Sequence, residues 1–445
     1  MLELNTPRAA FEKPAPARYE RGSMKLSSTF AIAVLVTVSA CGPAPVPVDG
    51  GVVDGGPTDS GWQDFDAGVW DGGVLQLNDV SVLFPLATSS AELSSSLKAS
   101  ATGARGVLLG ASLYDSIGHL SGSTGNPPPG GIGETAYADL HVVAVRVDPC
   151  FADIAPDPHS TTCLNQLRLI MQEVRAPSGQ AAGFDSALHV FYRLTREELL
   201  DFAHAVATLR EARAPGQRLG KLAPHPLMVA EGLDGPMANG VRALILRYAG
   251  AQNLTRVTKL SATTVGFAWD FSGFEVSPGN LLTPVTIASI PAGTAAQSLF
   301  SGFSVTDPEA LLSPPPSRTD DFTPLTSTMT ASTLDAGARD LAFAALVRID
   351  HPNHYTPENI DCASCHFATP TSALIAKAKY GLDEATDPNA FTVGDAGVLP
   401  EELTPTFSTV NGFNVHAFSY LERDPGINRR VVNETAAVVE FLNGL

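Results

Sequence analysis

A chain of 445 residues is too long for one ordinary hydrophobic core, so two domains or more are expected. Its 44% hydrophobic content argues against wholesale disorder. Lys and Arg number 28 against 46 Asp and Glu, a formal charge of −18 with no basic cluster, which argues against nucleic acid or an anionic membrane surface as a partner.

Residues 1–23 are polar and contain proline, and Met24 reads as the true initiator. Lys25 supplies a positive n-region and Phe30 to Val38 a short apolar run. That run is too short for a bilayer, which needs about 20 apolar residues, but it suits a signal peptide. Val38-Ser39-Ala40 directly before Cys41 resembles the lipobox of bacterial lipoproteins. The resemblance implies a lipidated Cys41 as mature N-terminus, a lipid membrane as partner, and a place in the cell envelope facing periplasm or cell surface. Residues 42–76 are rich in Gly, Asp and Pro, with six aspartates from Asp49 to Asp71. Such a stretch buries too little apolar surface to offset its ordering entropy, so a flexible, self-repelling tether is expected. Its aspartates lack the EF-hand spacing.

Residues 77–316 read as a β-rich domain. In His141–Asp148, Val143, Val145 and Val147 alternate with Arg146 and Asp148. In Gln166–Val174, Leu167, Leu169 and Met171 alternate with Arg168 and Gln172. Residues 184–194 form another strand with His189 an ordinary member, and Val265, Phe267, Trp269 and Phe271 share one side of a fourth. Period-two patterns of this kind are half-buried strands of an antiparallel sheet or sandwich. Two helices interrupt them. Thr195 with Glu198 makes a capping box ahead of Leu199, Phe202, Ala203 and Val206. Pro236 opens a second helix through Tyr248, which Gly250 stops. Between two strands, Cys150 and Cys163 bracket a short loop with two prolines. In an exported protein this pair reads as a disulfide, worth roughly 3 kcal/mol by loop closure. No nucleophile elbow, P-loop or dinucleotide glycine motif occurs.

A Ser/Pro/Thr-rich stretch, 317–332, reads as a linker to a C-terminal domain, 333–445. A helix is expected over about 333–348, with Leu334, Leu341, Ala345 and Leu346 packing, and another over Asn428–Asn443 with Val431, Val432, Val439 and Leu442. Between them stands Cys362-Ala363-Ser364-Cys365-His366. C-x-x-C-H is the attachment signature of c-type haem: two thiols one turn apart reach the two vinyl groups, and the histidine reaches the iron. The motif resembles that of the cytochrome c family, and terminal helices around it resemble the all-helical haem domain of small cytochromes c, over about 110 of 445 residues. The resemblance implies one covalent haem c, with Cys362 and Cys365 as anchors and His366 as proximal ligand. The expected fold class is therefore α+β: a β-rich N-terminal domain with inserted helices, then a small all-α haem domain.

The sixth ligand departs from the family pattern. All six methionines lie upstream of the motif, so the usual downstream methionine is missing. His416, the one downstream histidine, is the leading candidate, with Phe413, Val415 and Phe418 around it; His351 and His354 are alternatives, and the iron left open is another. Three other readings of the cysteines stay open: a thioredoxin-like CxxC, a strained Cys362–Cys365 disulfide, and a zinc site of His351, His354, Cys362 and Cys365. The expected function is membrane-anchored electron transfer with an unidentified redox partner protein. The alternatives are a non-enzymatic surface lipoprotein for binding or adhesion, and a haem peroxidase.

Overall fold

Strands with an apolar residue at every second position build one large antiparallel sheet. The computed structural model describes residues 73–118, 136–150, 164–176, 179–262, 268–301, 308–394, 397–406, 408 and 414–445. The signal segment, Cys41, most of the expected tether, Cys163, Val265, Phe267 and Phe413 lie outside them.

In chain order, β1 (Ser81–Leu83), β2 (Leu140–Asp148), β3 (Gln166–Arg175) and β4 (Ala182–Arg193) are followed by α1 (Arg196–Arg213) and α2 (Pro236–Tyr248). Then come β5 (Leu254–Ala262), β6 (Ala268–Ser277), β7 (Leu281–Pro284), β8 (Ala296–Ser301) and β9 (Ala310–Ser313). The nine strands lie in the order β1-β2-β3-β4-β5-β6-β8-β9, with β7 also pairing β6. The chain continues through α3 (Ala336–Ile349), α4 (Cys362–Thr371), a hairpin of β10 (Phe418–Leu421) and β11 (Asp424–Ile427), and α5 (Arg429–Asn443). The α+β class and the antiparallel sheet agree with the sequence reading.

Local chemistry sets the helix ends. Thr195 Oγ1 accepts from Glu198 N–H at 3.2 Å and Glu198 Oε2 accepts from Thr195 N–H at 2.9 Å, the reciprocal cap expected for α1. Leu199, Phe202, Ala203 and Val206 are buried as expected, each large side chain contributing roughly 1.5–3 kcal/mol. After α2, a side chain at Gly250 would overlap the carbonyl of Arg105, so only glycine allows the two backbones to approach. Asn428 caps α5, accepting from Val431 N–H at 2.9 Å.

Two hydrophobic cores form, and neither stops at the expected linker. One joins Val145, Leu169 and Leu188 of the sheet with Phe202 of α1, Val241 of α2 and Val432 and Val439 of α5. The other joins Phe271, Leu299 and Leu312 with Leu346 of α3 and Phe367 of α4. Phe322 and Leu325, within the stretch read as a linker, are fully buried in this second core. Residues on both sides of 317–332 thus share cores, because the helices close over the sheet and do not pack on one another alone.

Two further expectations are corrected. The C-terminal segment is not all-α: the β10–β11 hairpin docks on the sheet, with Tyr420 N–H donating to Gln172 Oε1 at 3.1 Å and Tyr420 Oη–H to the Phe84 carbonyl at 2.7 Å. The tether ends before residue 76, since Leu75 is buried and its N–H donates to Asn443 Oδ1 at 2.9 Å. In α3, Leu341 is 74% exposed although packing was expected, and Ala342 and Phe343 are buried instead.

Candidate cofactor cavity

Alternation along five paired strands sends three cross-strand rows to one side of the sheet. The registers align Arg146, Arg168, Phe191, Arg256 and Glu275 in the first row. The second holds Ile170, His189, Thr258 and Gly273, and the third Ala187, Leu260 and Phe271. All of these line one cavity of about 570 Å3. Across it stand Cys362, Cys365 and His366 of α4, His416 to Ser419, and Arg430 and Glu434 of α5. The volume falls in the ~300–1,000 Å3 range of small-molecule and cofactor sites.

The first turn of α4 is fixed to the sheet edge. Asp361, its N-cap, accepts from Ser364 N–H at 3.0 Å and from Gln297 Nε2 of β8 at 2.9 Å. Gln297 Oε1 in turn accepts from Ala363 N–H at 2.8 Å. Arg318 pairs with Asp361 and donates to Ser364 Oγ at 2.8 Å. These bonds hold Cys362 and Cys365, one helical turn apart, towards the cavity. Both are free thiols, and burial pushes each up to about 12. A thioredoxin-type cysteine needs the opposite shift, so this environment does not suit thiolate chemistry.

His366 Nδ1–H donates to the Val415 carbonyl at 2.7 Å. A carbonyl only accepts, so the proton is on Nδ1 and Nε2 is left with its lone pair, the tautomer of metal-binding histidines. Burial lowers His366 to about 4, so the ring is neutral near pH 7. Its ring lies 5.0 Å from that of Phe271 and 6.3 Å from that of His189, centre to centre.

His416 lines the cavity, but its nitrogens are occupied. Nδ1 bonds Ser419 Oγ at 2.6 Å, and Nε2 bonds Asp185 Oδ1 at 3.0 Å. Asp185 Oδ2 also accepts from Trp269 Nε1–H at 3.0 Å. The ligand role expected for His416 does not suit this arrangement. His351 and His354 meet edge to face with ring centres 4.6 Å apart and do not line the cavity. Among the described residues no three His, Cys, Asp or Glu side chains are gathered as metal ligands, so the two histidines do not join Cys362 and Cys365 in a zinc set. Among the described residues no methionine lines the cavity: Met171, Met228 and Met237 are buried in the first core and Met329 is 67% exposed.

The residue that sequence reasoning missed is His189. It projects from the middle of β4 into the cavity, and neither ring nitrogen has a hydrogen-bond partner among the described residues. Burial, then the charge of Arg168, holds it well below the ordinary histidine range. The available signal was its parity: it shares a strand side with Ala187 and Phe191, two apolar neighbours that mark that side as covered.

Four guanidiniums (Arg146, Arg168, Arg256 and Arg430) and four carboxylates (Asp148, Glu275, Glu358 and Glu434) line the cavity, while the Lys259 ammonium turns to the other side of the sheet and donates to the Ile117 carbonyl at 3.2 Å. Arg146 and Arg430 both bond Glu434, at 3.1 and 2.6 Å. Arg168 bonds Asp148 at 2.7 Å and its guanidinium lies over the Phe191 ring at 4.8 Å. Although burial raises Glu434, the Arg430, Arg146 and Arg168 guanidiniums bring it down to about 2. Arg146 Nε–H, buried, has no partner among the described residues.

Cys150 N–H donates to Asn165 Oδ1 at 3.0 Å, and its expected pairing with Cys163 concerns a residue outside the described ones. Among the described residues no helix is long and apolar enough to cross a membrane. No protein-family model, curated protein or solved structure matches this chain.

Proposed function

We propose that this chain is an exported c-type haem protein of the cell envelope, anchored through lipidated Cys41, with one covalent haem c in the cavity between the sheet and α4–α5. The observation that carries the reading is the cavity itself: all three residues of the C-x-x-C-H signature line a cofactor-sized space, and His366 is held in the ligating tautomer. Cys362 and Cys365 would hold the group through thioethers, each S–H adding across one vinyl group with no leaving group. The bound group supplies one-electron chemistry at iron.

The chain's own residues have separate tasks in this reading. His366 ligates through Nε2, and the Val415 carbonyl fixes its orientation. Phe271, Leu260 and Ile170 exclude water from the porphyrin, which raises the cost of the extra charge on oxidation. The guanidiniums of Arg146, Arg168 and Arg256 offer donors to haem carboxylates. The net charge of −18 favours electron exchange with a cationic redox protein.

The test is a pyridine haemochrome spectrum on protein matured with c-type assembly machinery, with metal analysis alongside. One iron per chain and a covalent haem lost in Cys362→Ser with Cys365→Ser support the reading. Covalent haem retained in that double variant, or one zinc per chain, overturns it.

A further inference from the structure

We infer that His189, from the middle of strand β4, is the second axial ligand of the iron. This rests on the haem reading above. Among the described residues three histidines line the cavity, and no methionine does. His416 has both nitrogens bonded, to Ser419 and Asp185, and His366 is the histidine of the attachment motif. His189 alone presents an imidazole with no hydrogen-bond partner among the described residues, in the floor opposite α4.

The spacing agrees. An imidazole nitrogen lies about 1 Å from its ring centre, and a metal–imidazole bond is about 2 Å, so two imidazoles on one metal have centres about 6 Å apart. The rings of His189 and His366 are centred 6.3 Å apart with planes 31° from parallel. Imidazoles in van der Waals stacking without anything between them sit closer. The floor also gives way at this point. Beside His189 in its row stand Thr258 and Gly273, and Gly273 carries no side chain to occupy the space.

The consequence is a six-coordinate iron held from two directions. One ligand belongs to the helix that follows the sheet, the other to a central strand of the sheet itself. Two imidazoles leave no open position for peroxide or a gas, which favours a carrier over a haem enzyme. They also set a lower potential than the histidine–methionine pair.

Electron paramagnetic resonance and near-infrared magnetic circular dichroism of the matured, full-length ferric protein test this. The wild type is expected to be low-spin with a bis-imidazole signature. His189→Ala is expected to keep its covalent haem, measured as pyridine haemochrome, and to become high-spin, with added imidazole restoring the low-spin form. His416→Ala is expected to remain low-spin. A high-spin or histidine–methionine wild type, or a low-spin His189→Ala with full covalent haem, overturns the assignment while leaving the haem reading intact. Should His189→Ala not accumulate, His189→Met takes its place: a histidine–methionine signature supports the assignment, and an unchanged bis-imidazole signature overturns it. Absence of covalent haem from the wild type removes both readings together.

Discussion

Gln297 reaches from strand β8 to Asp361, the N-cap of the helix that carries the two cysteines, with Nε2 2.9 Å from Oδ2. Its other amide atom accepts from Ala363 N–H at 2.8 Å. One side chain thus satisfies an orphan helix N–H and a buried carboxylate at once, both out of reach of water. Gln297→Leu keeps the volume and removes both bonds. Stability should fall by about 1–3 kcal/mol, the cost of buried polar groups left unmet, as a shift in urea midpoint. Covalent haem per chain should fall with it, because the thiols lose their fixed approach. An unchanged midpoint and full haem content would mean that Arg318 holds Asp361 alone.

Glu434 links stability to pH. Its carboxyl is brought from an ordinary 4.5 down to about 2 by Arg430, Arg146 and Arg168, against the effect of burial. A group with a lower folded than unfolded pKa stabilises above the unfolded value and loses that contribution as pH falls towards the folded one. Glu434 therefore contributes fully above about pH 5, on the order of 3 kcal/mol, and nothing below about pH 2. Glu434→Gln should be less stable than wild type at pH 7, and the gap should close as pH falls from 5 to 2. Urea titrations at several pH values measure it; a gap that stays constant would disprove the linkage.

His416 serves structure. It joins Ser419 of the β10 hairpin to Asp185 of β4, and Asp185 also takes the Trp269 indole. His416→Ala removes two buried hydrogen bonds, and thermal unfolding should register a loss of about 1–3 kcal/mol. His416→Gln, which retains one donor and one acceptor, should recover part of it. Equal stability of all three proteins would show the chain to be indifferent to this link.

Much of the sheet was legible because period-two alternation is a local signal. The strand expected over His141–Asp148 is observed as Leu140–Asp148, and Gln166–Val174 as Gln166–Arg175. The Thr195 cap and the Pro236–Tyr248 helix were equally plain, since caps and prolines act within a few residues. What a strand side faces is not local. Arg146 and Arg168 read as the solvated side of their strands, yet both line the cavity beneath α5, because the cover comes from residues almost three hundred positions later. His189 was hidden for the same reason. The stretch at 317–332 has the composition of a linker, but Phe322 and Leu325 anchor it in the second core and Arg318 reaches Asp361. Composition averages over such single anchors. The C-x-x-C-H motif was visible at once, since it spans five consecutive residues; which side chain faces it across the cavity depends on the register of the sheet.

Gly273 offers a test of the floor independent of any ligand. A Cβ there would stand 2.8 Å from Thr258 Cγ2, a side-chain methyl able to rotate away. Replacing glycine within a strand also gains about 0.5–1 kcal/mol in backbone entropy. These effects oppose each other, so Gly273→Leu should leave thermal stability within about 1 kcal/mol of wild type. Its isobutyl group would enter the cavity beside His189, in the row shared with Thr258. Covalent haem per chain should then drop several-fold while circular dichroism reports an intact sheet. Full haem incorporation with an unchanged spectrum would place the cofactor away from this part of the floor. A haem shifted by the leucine but still attached would instead lose its low-spin character, since His366 is fixed by α4 and only the sheet-side contact can give.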